Sequence, residues 1–494
     1  MNFLWGLALT IFYLIFRLIN LTLLPIFTDE AIYLRWAQIA KNDASWRFIS
    51  LTDGKQPLFV WLTMVMMKFI NDSLLAGRLI SVLAGLASMA GIFLLAKEIF
   101  NSRKIGFWAS FLYLICPFCL VYDRMALMDS LVATFAIWSL YFQVLLVKTL
   151  RLDIALILGM ILGGGILTKS SGFFNIYLLP TTLVLFNFKD KKWKSKLAKW
   201  LWFALLAIVL SQGYYSVLRL SPLFQMIAQK DTTFVYPFSE WIKHPLRFFV
   251  GNLKGQFDWL TTYLTLPILL LIAGSLFSFW KKTKEKLLLF LWFLIPFVAL
   301  ALFGKVLYPR FLLFMTMPLL VLASWLLNNV TMKQCNNETM SKILRMVVYS
   351  LIFIYPLYVD TKVVFDPVQA AIPQSDLNQY INDWPAGGGV KEVVEFLERE
   401  ARKGPIFVGS EGTFGLFPAA LELYLIDNPN IKIQGYWPFG DEVIKELKEK
   451  AKSVPTFLVL KETQGLAPDK PVKLIFKIRK GRGERFLYFY QVIY

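Results

Sequence analysis

The sequence predicts a mainly α-helical membrane protein: a polytopic helix bundle of about eleven spans, followed by a soluble α/β domain at the C-terminus. Three observations lead to this prediction. Of the 494 residues, 57% are hydrophobic and only 17% are charged, which is more apolar surface than a soluble domain needs. Apolar stretches close to the ~20 residues that cross a bilayer recur through residues 1–360. Residues 361–494 instead have the composition of a soluble protein.

The apolar stretches define the predicted bundle. Eleven of them are interpreted as membrane spans, although several are shorter than the ~20 residues that an average span needs. A further apolar stretch, residues 57–70, has only 14 residues and needs separate treatment. The eleven predicted spans cover residues 3–24, 74–96, 105–121, 130–147, 154–168, 172–187, 200–218, 262–280, 287–303, 311–327 and 344–359.

The charges in the loops predict how the bundle is oriented. If residues 57–70 do not cross and the N-terminus is cytoplasmic, the cytoplasmic loops hold 18 Lys and Arg, against 4 in the short outer loops. Such an excess is typical of cytoplasmic loops, so the net charge of +19 needs no nucleic-acid partner. We therefore expect residues 57–70 to form a re-entrant or interfacial helix in a multi-pass plasma-membrane protein. The basic loops are 97–104, 148–151, 189–199, 281–286 and 333–345.

The outer side is then expected to hold a first loop (25–56), a long loop (219–261) and a C-terminal domain (361–494). The C-terminal domain alternates amphipathic and strand-like stretches, which is typical of a small α/β domain, and it ends in a hairpin. Its predicted helices cover 390–402, 413–425 and 441–451, and its predicted strands cover 405–409, 431–436, 456–461, 472–479 and 485–493.

An acidic pair, Asp29-Glu30, follows the first predicted span. Adjacent carboxylates at the water edge of a bilayer can act as a general base, as electrostatic anchors or as a cation site. The simpler alternative is helix capping, with Thr28 or Asp29 as the N-cap of a helix that lies on the membrane surface. Tyr33, in the segment that follows the acidic pair, is a candidate substrate-binding residue.

Further charged residues stand at the outer ends of other spans, where charges facing a bundle are candidates for function. The alternatives are interfacial snorkelling for Lys55, an Arg–Asp pair that stabilises a turn for Arg124 and Asp129, and a lipid-headgroup anchor for Arg310. A phosphorylated lipid would suit this set, because the cations can stabilise a leaving phosphate while a carboxylate deprotonates an acceptor hydroxyl. The candidate substrate-binding residues are Lys55, Tyr33, Arg124, Asp129, Lys169, Tyr308 and Arg310.

The order of these motifs over residues 1–360 resembles the GT-C membrane glycosyltransferases. It is most similar to the relatives of protein O-mannosyltransferases and of the lipid A aminoarabinose transferase, families 39 and 83. The motifs that carry the resemblance are the acidic pair, Lys-x-Pro-Leu at Lys55, Arg-x-x-x-x-Asp at Arg124, Thr-Lys at Lys169 and Tyr-Pro-Arg-Phe-Leu-Leu at Tyr308. The segment from Gln379 to Glu392, with Trp-Pro-Ala-Gly-Gly-Gly at its centre, is similar to a segment of bacterial members.

The resemblance implies a transmembrane catalytic domain over residues 1–360 that uses a polyprenyl-phosphate sugar on the outer leaflet and inverts the anomeric carbon. It implies Asp29 as the catalytic base, Glu30 as its catalytic neighbour, and Lys55, Lys169 and Arg310 as phosphate-side residues. Two departures stand out. Gln56-Pro57 replaces a Pro-Pro pair, and Ile32 replaces an Arg that the aminoarabinose transferases tend to carry, which counts against that activity. The Trp-Trp-Asp-Tyr-Gly motif of oligosaccharyltransferases is absent from the sequence.

The sequence therefore favours a hexosyl or pentosyl transferase. Its expected partners are a polyprenyl-phosphate sugar, an acceptor outside the membrane (protein, lipid or glycan) and membrane lipids. No cofactor is assigned with certainty; a divalent cation, for which Asp29 and Glu30 would be the ligands, stays open. The alternatives are a transporter or flippase of lipid-linked sugars and a non-catalytic assembly protein. The sequence shows no strong internal repeat, which counts against an inverted-repeat transporter.

Overall fold

The computed structural model of the chain describes residues 2–278, 281–329 and 338–494. Most of the described residues before position 366 are helical. The first helices are α1 (Asn2–Leu18), α2 (Thr28–Asn42), α3 (Leu58–Met66), α4 (Ser73–Phe100), α5 (Arg103–Leu114), α6 (Pro117–Asp123), α7 (Met128–Thr149) and α8 (Leu152–Thr168). They are followed by α9 (Phe174–Tyr177), α10 (Trp193–Ser216), α11 (Met226–Phe234), α12 (Phe238–Trp241), α13 (Phe249–Phe277), α14 (Thr283–Phe303), α15 (Leu313–Asn329) and α16 (Glu338–Phe365).

The prediction of a multi-pass helix bundle is confirmed, but the count of eleven spans is not. Among the described residues, six helices are long and apolar enough to cross a bilayer, and a seventh is obtained if α5 and α6, bent by 63°, count as one span. Other predicted spans are shorter helices, such as α1 and α8, or a run of short turns at 170–185. Hydropathy measures apolar length and does not detect where a helix breaks. Most of the basic loop 333–345 lies outside the described residues and side chains.

The short apolar stretch at 57–70 forms α3, a helix of 9 residues. At 1.5 Å per residue α3 is about 14 Å long, less than half of the ~30 Å hydrocarbon core. Its length agrees with the prediction that this stretch does not cross the membrane.

The C-terminal elements agree closely with the predicted α/β domain. Two short turns at 374–377 (α17) and 378–382 lead into α18 (Val390–Ala401), β1 (Ile406–Glu411), α19 (Leu416–Leu425), β2 (Ile431–Tyr436), α20 (Asp441–Ala451), β3 (Thr456–Leu460), β4 (Val472–Arg479) and β5 (Phe486–Val492). The strands form one sheet in the order β2-β1-β3-β5-β4. β2, β1 and β3 are parallel, while β5 is antiparallel to β3 and pairs with β4 as the predicted hairpin.

The C-terminal domain packs on α2, the helix that begins with the acidic pair. Helix α19 lies along α2, where Arg35 forms an ion pair with Glu422 at 2.8 Å. The amide of Gln38 donates to the carbonyl of Leu423 at 3.2 Å. These contacts fix α2 from the side opposite to the bundle, and α2 is therefore held between the two parts of the chain.

Candidate active site

A cavity of about 320 Å³ opens at one end of the helix bundle and collects most of the predicted site residues. Its wall is built from seven separate pieces of the chain: α2, the turn before α3, the start of α7, the segment from the turn after α8 to the start of α9, α11, the end of α14, and the segment from the turn before α15 into that helix. Six predicted residues line it, namely Asp29, Tyr33, Lys55, Asp129, Lys169 and Arg310. Residues spread over 281 positions of sequence thus meet around one space.

Asp29 lies in the first turn of α2, and its side chain is 25% exposed. Nη2 of Arg310 donates to Oδ2 of Asp29 at 3.1 Å. Tyr33 follows one turn later on the same face and is buried. The carboxylate therefore reaches the cavity next to a guanidinium. Its catalytic role stays a prediction.

Arg310 is held in place by neutral groups as well as by Asp29. Nη1 of Arg310 donates to Oε1 of Gln379 at 2.9 Å. The guanidinium carbon lies 4.3 Å from the ring centroid of Tyr308. Tyr308 does not line the cavity and lies against the guanidinium of Arg310.

Asp129 and Lys169 form an ion pair in the cavity wall. Nζ of Lys169 lies 2.6 Å from Oδ1 of Asp129, which is in the first turn of α7, where the helix dipole favours a carboxylate. The ammonium also lies 4.5 Å from the ring centroid of Phe311. Lys169 is thus already neutralised by a protein carboxylate.

Lys55 has no carboxylate partner within 4 Å among the described residues, in contrast to Lys169. Its ammonium lies 4.9 Å from the ring centroid of Phe234. Burial lowers the pKa of Lys55, and the neighbouring cations Lys169 and Lys230 act in the same direction, although Asp29 opposes them. Lys55 is the cavity cation with the most unsatisfied charge in the described part of the chain.

Helix α11 closes the cavity from the side, and the sequence did not single it out. Lys230, Asp231 and Phe234 all line the space. Lys230 pairs with Asp53 at 2.6 Å, and burial raises the pKa of Asp231. Gly54 permits this approach: its φ is +64°, and a Cβ there would lie 2.3 Å from the carbonyl oxygen of Met226. No motif marks these residues, because α11 is a short polar helix inside a long loop.

Glu30 does not face the cavity. Its side chain is fully buried and forms an ion pair with Arg78, whose Nε and Nη2 donate to it at 2.9 and 2.8 Å. The backbone amides of Ala126 and Phe27 donate to the same carboxylate at 2.7 and 2.9 Å. The geometry therefore corrects the prediction of Glu30 as a catalytic neighbour: all of its oxygens are used in holding α2 to the bundle.

Helix α2 also begins differently from the capping prediction. The helix starts at Thr28, whose hydroxyl donates to the carbonyl of Pro385 at 2.9 Å and does not cap its own helix. Glu30 takes over the capping role by accepting from the amide of Phe27. Neither Thr28 nor Asp29 is the N-cap, which leaves the Asp29 carboxylate available to the cavity.

Arg124 also lies outside the cavity, which corrects its prediction as a substrate-binding residue. Its guanidinium is buried and donates to the backbone carbonyls of Phe16, Arg17, Ile19 and Asn20 at 2.8 to 3.0 Å. The last carbonyls of a helix have no partner within the helix, and a cation there also suits the helix dipole. Arg124 therefore terminates α1.

The glycine segment, residues 384–389, ties the start of α2 to the C-terminal domain. Phe27 and Ala386 form an antiparallel bridge, and the amide of Gly387 donates to the carbonyl of Ile26 at 2.8 Å. A Cβ on Gly387 would lie 2.3 Å from that same oxygen, so only glycine permits the approach. Lys480 holds the segment from behind by donating to the carbonyls of Trp384 and Ala386 at 3.0 and 2.8 Å.

The described residues contain no group of three or more His, Cys, Asp or Glu side chains that could hold a metal ion. Two of the three cavity carboxylates are paired with cations, Asp29 with Arg310 and Asp129 with Lys169. The arrangement can therefore bind an anion through lysine and arginine and place a carboxylate beside it.

Comparison with known proteins agrees with this description. Residues 54–215 match the model of the family described as dolichyl-phosphate-mannose-protein mannosyltransferase. The match includes Lys55, Asp129 and Lys169 but neither Asp29 nor Arg310. No curated protein sequence matches the chain.

Similar solved structures extend over nearly the whole chain. ArnT from Cupriavidus metallidurans bound to undecaprenyl phosphate has a TM-score of 0.59 and 14% identity, covering 98% of this chain and 97% of that one. The apo state of the same protein has a TM-score of 0.57 and 13% identity over the same shares. The oligosaccharyltransferase from Archaeoglobus fulgidus has a TM-score of 0.53 and 13% identity, covering 93% of this chain and 69% of that one. The chain therefore has the GT-C fold of the protein mannosyltransferase and ArnT type, which confirms the resemblance found in the sequence.

Proposed function

We propose that the protein is an integral membrane glycosyltransferase that moves one sugar from a polyprenyl phosphate to an acceptor outside the membrane. The observation that carries the proposal is the shared cavity, in which Asp29 lies beside Lys55, Lys169 and Arg310. A transferase of this kind needs a base for the acceptor and cations for the leaving phosphate, and the cavity supplies both.

In the proposed reaction the acceptor hydroxyl gives its proton to the Asp29 carboxylate. The acceptor oxygen forms a bond to the anomeric carbon from the face opposite to the phosphate, and the bond between that carbon and the phosphate oxygen breaks. The bonding electrons leave with the polyprenyl phosphate, where nearby cations stabilise the added charge. A single displacement of this kind inverts the anomeric carbon.

The ion pairs suggest an order of events in the cavity. Lys55 has no carboxylate partner among the described residues, so it is the first site for the donor phosphate. Arg310 lies between Asp29, 3.1 Å away, and the open cavity. Its guanidinium has further N–H groups that can donate to the phosphate. A guanidinium that contacts both groups would hold the base and the leaving group at a short, defined separation.

The proposed orientation places the cavity at the outer face. The chain direction supports it: α7 begins at the cavity and ends at the basic loop 148–151, and α8 returns from that loop to Lys169. The loops 97–104, 189–199 and 281–286 also join helices at the end opposite to the cavity. Under the positive-inside rule that opposite end is cytoplasmic.

A transporter of lipid-linked sugars is the alternative from another class of protein. It would need ionisable residues near the middle of the membrane that line a path through the bundle. In the described residues the charged cavity instead lies at one end of the helices, and nothing in the fold comparisons favours transport.

The proposal is tested by a membrane assay with defined polyprenyl-phosphate sugars. Membranes that contain the protein are supplied with one radiolabelled donor at a time, and the loss of label from the lipid and its arrival on protein, lipid or glycan are measured. We expect one donor to be consumed and its sugar to appear on an acceptor. Movement of intact donor between leaflets without loss of the sugar would contradict the proposal and favour the transporter.

A further inference from the structure

A second, quite different crevice of about 330 Å³ lies between α1, α5 and α16, away from the charged cavity. Its surface is apolar, and none of the predicted site residues lines it. It opens beside α1, whose Trp5 and Phe12 are 60% and 53% exposed in the manner of lipid-facing side chains. Its walls include Trp5, Ala8, Phe12, Phe16, Phe111 and Leu357.

One carboxylate, Asp360 of α16, lies in this apolar wall. Its side chain is 1% exposed, and neither of its oxygens has a hydrogen-bond partner among the described residues. Leaving an ionised carboxylate buried without a partner is among the most costly arrangements in a protein interior. The described residues therefore offer these two oxygens no hydrogen-bond donor.

The cation that acts on Asp360, Arg17, forms no hydrogen bond with it among the described residues. Arg17 acts on Asp360 electrostatically, but its own donors are engaged elsewhere. Nη1 and Nη2 of Arg17 donate to the carbonyls of Leu114 and Tyr113 at 2.7 and 3.4 Å, and Nε faces Asp123 at 3.5 Å. The guanidinium provides a partial counter-charge from a distance and no bond.

The length of the crevice matches one lipid chain. Trp5 and Phe16 both line it and are eleven positions apart on α1, which corresponds to about 16 Å at 1.5 Å per residue. One leaflet of a bilayer contributes about 15 Å of the hydrocarbon core. Asp360 is close to Arg17, near the end of α1 that leads to the acidic pair. The carboxylate thus lies towards one end of an apolar slot as deep as a leaflet.

We propose that this crevice binds an aminophospholipid from the surrounding leaflet. An acyl chain occupies the slot along α1, and the primary ammonium of the headgroup donates to the orphaned oxygens of Asp360. A primary ammonium supplies both the hydrogen-bond donors and the positive charge that the carboxylate lacks. A choline headgroup has the charge without N–H donors, and a glycerol headgroup has hydroxyl donors without the charge.

Native mass spectrometry of the detergent-purified full chain tests this proposal. The protein is incubated with equimolar phosphatidylethanolamine, phosphatidylcholine and phosphatidylglycerol of identical acyl chains, and bound lipid is counted for each. The wild type is expected to retain phosphatidylethanolamine at least several-fold more than the other two. Asp360→Asn is expected to remove this preference, because the amide keeps the shape but loses the charge.

Two further variants make the result specific. Asp366→Asn changes a half-exposed aspartate that follows the same helix and does not line the crevice, so it should keep the wild-type preference. Ala8→Phe fills the slot while leaving Asp360 in place, so it should reduce retention of all three lipids. Equal retention of the three lipids by the wild type would overturn the proposal. An unchanged preference in Asp360→Asn would do the same, because the carboxylate would then be held as a neutral acid in a dry crevice.

Discussion

Asp29 and Glu30 are neighbours in the first turn of α2, but their carboxylates lie in very different surroundings. On one side Asp29 is 25% exposed and faces a cavity with unsatisfied positive charge. On the other side Glu30 is fully buried and accepts four hydrogen bonds, from Arg78 and two backbone amides. Successive residues of a helix point about 100° apart, so adjacency in sequence does not mean a shared role. One acid is available for chemistry because its neighbour holds the helix.

The largest effect is expected on the cavity side, from Asp29→Asn. The amide cannot accept the acceptor proton, so we expect sugar transfer to fall by about 10²–10⁴-fold, the usual contribution of a general base. Thermal unfolding in detergent should change less than for Glu30→Gln, because Asp29 is partly exposed and Asn keeps an oxygen that can accept from Arg310. Transfer at the wild-type rate by a normally inserted variant would show that Asp29 is not the base.

Neutralising the buried acid, by contrast, should lower the stability of the protein. Glu30→Gln leaves the guanidinium of Arg78 buried without a counter-charge, and loss of one partner of such a pair costs about 3–5 kcal/mol. We expect a clear fall in the melting temperature, measured by differential scanning fluorimetry. The double variant Glu30→Gln, Arg78→Met should recover part of the loss, because no lone charge remains. If Glu30→Gln melts like the wild type and loses only activity, the comparison between the two acids is wrong.

The two cavity lysines allow a finer comparison. Lys55→Met removes a cation without a carboxylate partner, so we expect weaker donor binding, by about 1.5–3 kcal/mol, without loss of stability. Lys169→Met leaves Asp129 unpaired and should lower the melting temperature.

Because burial lowers the pKa of Lys55, donor affinity should fall as the pH rises through that lowered pKa. The effect is measured as KM for the donor at a series of pH values. If Lys55→Met and Lys169→Met show the same dependence of KM on pH, Lys55 is not its source.

The smallest effect is expected from Lys480, which acts on α2 only through the glycine segment. Burial, with help from Lys461, lowers its pKa to about 7. Between pH ~7 and the ordinary lysine value of ~10.4, the unfolded chain binds a proton that the folded chain does not. The free energy of unfolding should therefore rise with pH in this window in the wild type. Lys480→Met should flatten that rise and reduce transfer modestly. If the free energy of unfolding rises with pH by the same amount in Lys480→Met, the rise comes from other titratable groups.

The agreement between sequence and structure differs between the two parts of the chain. In the C-terminal domain, β2 and α20 have the predicted bounds, since alternation and amphipathic spacing are local signals that turns and glycines delimit. In the bundle, hydropathy located the apolar stretches but not their breaks, such as the bend between α5 and α6. The motif order also identified five of the cavity residues, because each motif stands at the end of a helix.

Hydropathy and motif order could not predict which charged residues lie outside the cavity, or that α11 forms part of its wall. Arg124 and Glu30 carry the same charges as the cavity residues, and only packing decides that they bind the end of α1 and Arg78 instead. Helix α11 was missed because its Lys230 and Asp231 form no motif. They reach the cavity only through the close approach at Gly54.

The sequence by itself determined the membrane class, the α/β pattern of the C-terminal domain and the motif order of the GT-C fold, because all three are written in local composition and spacing. Tertiary structure alone decided which charges share a space. Asp29 and Arg310 are 281 positions apart and meet at 3.1 Å, while Asp29 and Glu30 are adjacent and face different surroundings. The reason is that a side chain's partners depend on the direction in which its helix is held, and that direction is set by contacts far away along the chain.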